Sequence, residues 1–86
     1  MQYLKQYFTK LLAPLEARVL VEEEPASGHA MAETKMFVIS EKFTDVEMRD
    51  RIKMILELVR ADQMAMDLDA TYDFTFYPRT EKEFSK

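Results

Sequence analysis

Between Met64 and Phe76 the sequence alternates without interruption. Met64, Met66, Leu68, Ala70, Tyr72, Phe74 and Phe76 fall on one side, and Ala65, Asp67, Asp69, Thr71, Asp73 and Thr75 on the other. Successive side chains of a strand point to opposite faces, so the pattern predicts one strand over residues 64–77 with an apolar and an acidic face. A helix would scatter the same residues around its circumference. The run is about twice the usual strand length of ~5–6 residues, so it requires a bend, a bulge or an unusually long pairing partner.

The preceding residues supply the elements this strand needs. Leu4, Tyr7, Phe8, Leu11 and Leu12 recur at helical spacing and predict a helix over 2–12. Pro14 stops it, because the residue before a proline is pushed out of the helical region. Leu15, Ala17, Val19 and Val21 then alternate with Glu16, Arg18, Leu20 and Glu22, which predicts a half-buried strand over 15–23. Residues 23–33 read as a loop or loosened hairpin end around Pro25-Ala26-Ser27-Gly28, with the one glycine of the chain supplying a turn. Met36-Phe37-Val38-Ile39 is a continuous apolar run, suited to a strand over 34–40 covered on both faces.

A second helix is predicted over 45–61, with Met48, Ile52, Ile55, Leu56 and Val59 as its buried stripe. Thr44 is placed to cap it, Glu47 to complete a capping box, and Phe43 to pack on Met48. Asp45–Arg49, Glu47–Arg51 and Lys53–Glu57 have the spacing of i,i+4 ion pairs, each worth roughly 0.3 kcal/mol. Pro78 ends the long strand, and residues 79–86 form a charged tail in which Phe84 pins a short helix. The order helix, strand, strand, helix, strand predicts a single α+β domain over residues 1–86. Its three-stranded sheet is mixed or antiparallel and carries both helices on one apolar face. The last strand pairs with the first, the second or both, and the acidic face meets solvent.

Several function classes lose support from composition. The chain has no cysteine, so disulfides, thiolate metal sites and cysteine nucleophiles are excluded, and a reducing cytoplasm is the expected compartment. No apolar stretch approaches the length of a membrane span. Met1-Gln2-Tyr3-Leu4-Lys5 lacks the charged-then-apolar layout of a secretory signal. Ser27, Ser40, Ser85 and the single His29 do not fall into a nucleophile–base arrangement, and one glycine cannot build a phosphate loop. An enzyme is not expected. The net charge of −4 leaves duplex nucleic acid little to bind; Arg49, Arg51 and Lys53 are the contacts such a role would use.

The leading expectation is a non-enzymatic interaction module without a cofactor. It binds a protein partner, or a second copy of itself as a homodimer, through the overlong third strand. Asp67, Asp69, Thr71, Asp73 and Thr75 form its outward row. Carboxylates two apart on a strand lie roughly 7 Å apart, close enough to share a divalent ion through water. The same charges also serve to keep an edge from pairing with strangers. His29 is either an exposed loop residue without a role or a metal or cluster ligand that a partner completes. Met36, Met48, Met64 and Met66 fall on predicted core faces, which leaves Met31 and Met54 free to meet a partner.

Three stretches also resemble the BolA family. Residues 15–24, Leu-Glu-Ala-Arg-Val-Leu-Val-Glu-Glu-Glu, are similar to its first strand, which runs into an acidic end. Residues 33–43 resemble its second strand and the Ser-x-x-Phe that follows, here Ser40 to Phe43. Thr80-Glu81-Lys82-Glu83-Phe84 is similar to its Thr-Pro-Glu-Glu-Trp ending. The chain departs from the family in having Asp45 for the glycine after Ser-x-x-Phe. It has Arg49-Asp50-Arg51, three residues early, for an Arg-His-Arg, and no histidine at the start of the last strand. The resemblance implies the same helix–strand–strand–helix–strand core. It also implies either a shared iron–sulfur cluster with a monothiol glutaredoxin, to which His29 is this chain's ligand, or nucleic-acid-binding regulation.

Overall fold

The first helix forms where the apolar spacing places it. In the computed structural model, which describes residues 2–26, 28 and 32–85, α1 runs from Gln2 to Leu11. Leu4 and Phe8 are fully buried on its inner side. Pro14 does not simply end the helix; it sits in a 3-10 turn, Ala13–Leu15, after which Glu16 adopts the left-handed conformation at φ 51°. That reversal consumes the residues expected to begin the first strand, so β1 spans Arg18–Glu24 rather than 15–23.

β1 pairs antiparallel with β2 (Glu33–Ile39), Arg18 opposite Ile39 and Glu24 opposite Glu33. After a 3-10 turn at Glu41–Phe43, the chain crosses the sheet through α2 (Met48–Arg60) and α3 (Gln63–Tyr72). It returns as β3 (Phe74–Arg79), parallel to β2, with Thr34 beside Phe74 and Ile39 beside Arg79. Parallel neighbours require such a crossover, whereas the β1–β2 pair needs only a hairpin. A four-residue helix, α4 (Glu81–Phe84), closes the described chain. The sheet order is β1-β2-β3, and the structure is one α+β domain with a mixed three-stranded sheet. Val19, Met36, Val38 and Phe74 on one sheet face meet Leu4, Phe8, Leu12, Phe43, Ile55, Val59 and Ala65 from the helices and turns. The apolar run in β2 is central and covered on both faces: Met36 and Val38 on the helix side, Ile39 2 % exposed on the other.

The predicted strand over 64–77 is overturned, because residues 63–72 are helical. Gln63, Met64, Ala65, Met66, Leu68 and Ala70 are strong helix formers, and none is β-branched or aromatic. Asp62 starts the helix, its side chain accepting the Ala65 N–H at 3.0 Å. Ala65 is buried and Leu68 and Tyr72 are half-buried, which is a helical stripe that the two-residue alternation conceals. Asp73 ends the helix at φ 53°, in a conformation that aspartate tolerates better than most residues. Strand propensity begins only after it, at Phe74-Thr-Phe-Tyr.

Other expectations are corrected in smaller ways. α2 begins at Met48 with Glu47 at its N-cap and no side-chain cap, so the Thr44–Glu47 capping box does not form. The capping box lies instead at the start of α4, between Thr80 and Glu83. Met48, Met64 and Met66 are exposed rather than buried, while Met54 packs against the core. Arg51 takes the inward position, together with Ile55 and Val59. The i,i+4 pairs foreseen on this helix give way to Arg51–Glu83, and Arg18–Glu81, Lys35–Glu24 and Lys42–Glu16 join other elements.

Candidate interaction surface

A sheet ordered β1-β2-β3 has two outer edges, and they are finished differently. The Arg79 carbonyl accepts the Ser40 N–H at 2.9 Å, on the β2 side. Backbone groups alternate sides along a strand, so Thr75, Tyr77 and Arg79 turn toward β2, and Phe74, Phe76 and Pro78 turn outward. Two of those outward groups, one near each end of the strand, are engaged. Asp69 Oδ1 accepts the Phe74 N–H at 3.2 Å. Pro78 has no N–H to offer. Its carbonyl accepts from Arg51 Nη1 at 3.3 Å and Arg79 Nη1 at 2.9 Å. Among the described residues the Phe74 carbonyl and both Phe76 backbone groups meet no such partner, so the edge is interrupted near its two ends and open between them.

The outer edge of β1 carries no such interruption. No hydrogen bond among the described residues reaches it from a side chain or loop. Its seven residues end in Glu22, Glu23 and Glu24, all exposed. Glu24 is bound to Lys35 at 2.7 Å, and at the other end Arg18 is bound to Glu81 at 2.9 Å. Glu22 and Glu23 have no ion pair among the described residues. Beside this acidic end lies a cleft of about 410 Å³, lined by Glu23, Glu24, Pro25, Ala32, Glu33 and Thr34.

The face of the sheet away from α1 and α2 is not the acidic face that the sequence predicted. Phe37 stacks on Tyr77 with ring centroids 5.1 Å apart, and Phe84 from α4 meets Phe37 edge-on at 5.5 Å. α4 is held there by charge. Arg51, 6 % exposed, donates to the Val46 and Pro78 carbonyls and pairs with both Glu83 oxygens. The Arg51 hydrogen bonds, with the Thr80 backbone N–H, hold the Glu83 carboxyl down at about 2. Arg51 therefore has a structural place and is not available as a nucleic-acid contact. Arg49 and Lys53 are exposed on α2.

The proposed outward row is not brought together. Asp67, Asp69 and Thr71 lie on α3, Asp73 is its cap and Thr75 is exposed on β3. Asp67 accepts from Gln63 at 2.9 Å, and the Thr71 hydroxyl donates to the Asp67 carbonyl at 2.9 Å, both local helix contacts. Among the described residues no group of three or more His, Cys, Asp or Glu is arranged to hold a metal. His29 and Met31 lie outside the described residues. The feature that sequence reading passed over is the free edge of β1; its one signal was the run of three glutamates that follows Val19-Leu20-Val21. Among the described residues no helix is long and apolar enough to cross a membrane.

No protein-family model matches the chain. A search of curated proteins likewise finds no match in sequence.

Proposed function

We propose that this chain is a non-enzymatic interaction module that takes an extended segment of a partner protein onto the outer edge of β1. Strand addition of this kind draws its affinity from main-chain hydrogen bonds and its specificity from the side chains flanking the edge. The observation that supports it is the contrast between the edges. Asp69, Pro78 and Arg51 interrupt the β3 edge near both of its ends, while the outward groups of β1, on alternate residues of its seven, meet no side chain or loop among the described residues. The test uses isotope-labelled protein and a heptapeptide alternating valine and threonine, which favours the extended state without adding charge. Amide shifts at Arg18–Glu24 with slowed exchange there are expected. Shifts confined to β3, or none at millimolar peptide, would reject strand addition at β1.

Kinship with the BolA family is a second reading, and two observations support it. Asp45, where the family has glycine, sits at φ 62°, a conformation that favours glycine. Thr80, Glu83 and Phe84, in the register of the Thr-Pro-Glu-Glu-Trp ending, cap α4, complete its capping box and cover Phe37. A resident iron–sulfur cluster does not fit the described residues: the chain has no cysteine, and Asp73 and Phe74 open the last strand without a histidine. A glutaredoxin-type partner would have to supply most ligands. Anaerobic reconstitution with such a partner tests this: a visible-absorbing complex lost in His29→Ala would favour it, and an unchanged spectrum would retire it.

A further inference from the structure

Building on the strand-addition reading, we infer that the segment received by β1 is basic, and that Glu22 and Glu23 select it. The four charged side chains of β1 are not equivalent. Arg18 and Glu24 are already committed, to Glu81 at 2.9 Å and Lys35 at 2.7 Å. Glu22 and Glu23 are exposed, and no cation among the described residues pairs with them. As neighbours on a strand they point to opposite faces of the sheet. A segment laid along the edge therefore meets a carboxylate on whichever face its side chains point.

Cross-strand pairs of opposite charge stabilise a sheet and like charges oppose it. The acidic end thus admits a segment carrying lysine or arginine and rejects an acidic one. The adjoining cleft of about 410 Å³ adds room lined by Glu23, by Glu24, which Lys35 holds at 2.7 Å, and by Glu33, which accepts from the Tyr77 hydroxyl at 2.9 Å. A long basic side chain reaching past the end of β1 would enter there, its aliphatic stem against Pro25 and Ala32 and its charge among carboxylates. A second copy is a poorer occupant. It would bring its own Glu22, Glu23 and Glu24 to the seam, with Arg18 as the strand's only cation, already engaged by Glu81.

The experiment compares three heptapeptides against the full labelled chain: valine alternating with lysine, with threonine and with glutamate. The lysine peptide is expected to bind at β1 about tenfold more tightly than the threonine peptide, and the glutamate peptide not to bind. Raising salt from about 0.05 M to about 0.5 M should remove most of the lysine advantage, because the carboxylates are exposed. The double variant Glu22→Lys, Glu23→Lys, which touches no buried side chain, should reverse the preference toward the glutamate peptide. Equal binding of the lysine and threonine peptides at β1 would overturn this inference and leave strand addition standing. Binding of none of the three at β1 would overturn both. An unchanged lysine preference in the double variant would overturn the assignment to Glu22 and Glu23.

Discussion

β1 and β3 are both edge strands of one sheet, yet they are secured by different means. β3 is anchored at both ends, with Phe74 8 % exposed and Pro78 fully buried. Near its two ends the outward Phe74 N–H and Pro78 carbonyl are engaged by Asp69 of α3 and Arg51 of α2. In β1 only Val19 is buried, and among the described residues its edge is guarded only by charge on the strand itself. An edge interrupted by hydrogen bonds hinders every strand alike, whereas an edge guarded by charge is shut selectively. The first arrangement makes an obstacle, and the second makes a recognition surface.

The contrast is most sharply broken at Phe74, which meets Phe8, Tyr72 and Phe76. Phe74→Ala should cost about 3–5 kcal/mol, read by denaturant unfolding, and release the whole β3 end of the sheet. Next comes Arg51→Ala, which strands the Val46 carbonyl, leaves the Pro78 carbonyl to Arg79 alone and frees Glu83. Its expected cost is about 2–3 kcal/mol, and exchange of β3 and α4 amides should rise while β1 amides are unaffected.

Acid reports on the same contact. Glu83 has its carboxyl pKa depressed to about 2, so its contribution is fully present above the ordinary glutamate value of ~4.3 and is lost as pH falls through about 2. Melting temperature should therefore drop between these values more in the native protein than in Glu83→Gln. Asp69→Ala is expected to cost about 1 kcal/mol by releasing the Phe74 N–H, with faster exchange at that one amide as its signature. The smallest effect belongs to the open edge: Glu22→Lys with Glu23→Lys should change stability by less than about 0.5 kcal/mol. A larger loss would mean that these carboxylates support the fold rather than face a partner.

Much of the scaffold was legible. The periodicity of residues 2–12, the apolar run of β2 and the inward Ile55 and Val59 each reflect a local rule that packing did not contradict. Residues 64–72 misled because alternation and helix propensity conflict there, and a helix that buries only Ala65 completely gives a faint helical stripe. The change in propensity at Asp73, from methionine and alanine to phenylalanine and threonine, was the available signal. Arg51 was legible only as a helix-surface cation, since its partner Glu83 is 32 residues away.

By itself, then, the sequence determined the α+β class, the central strand, the closing role of Phe84 and the acidic end of β1, because each depends on neighbours within a few residues. Tertiary structure alone decided which edge stayed uninterrupted. Asp69, Arg51 and Pro78 come from three elements, and their interruption of the β3 edge exists only once the α2–α3 crossover has set a parallel strand beside β2. Backbone groups carry no sequence signature of their own, so whether an edge is free depends on what the rest of the fold brings to it.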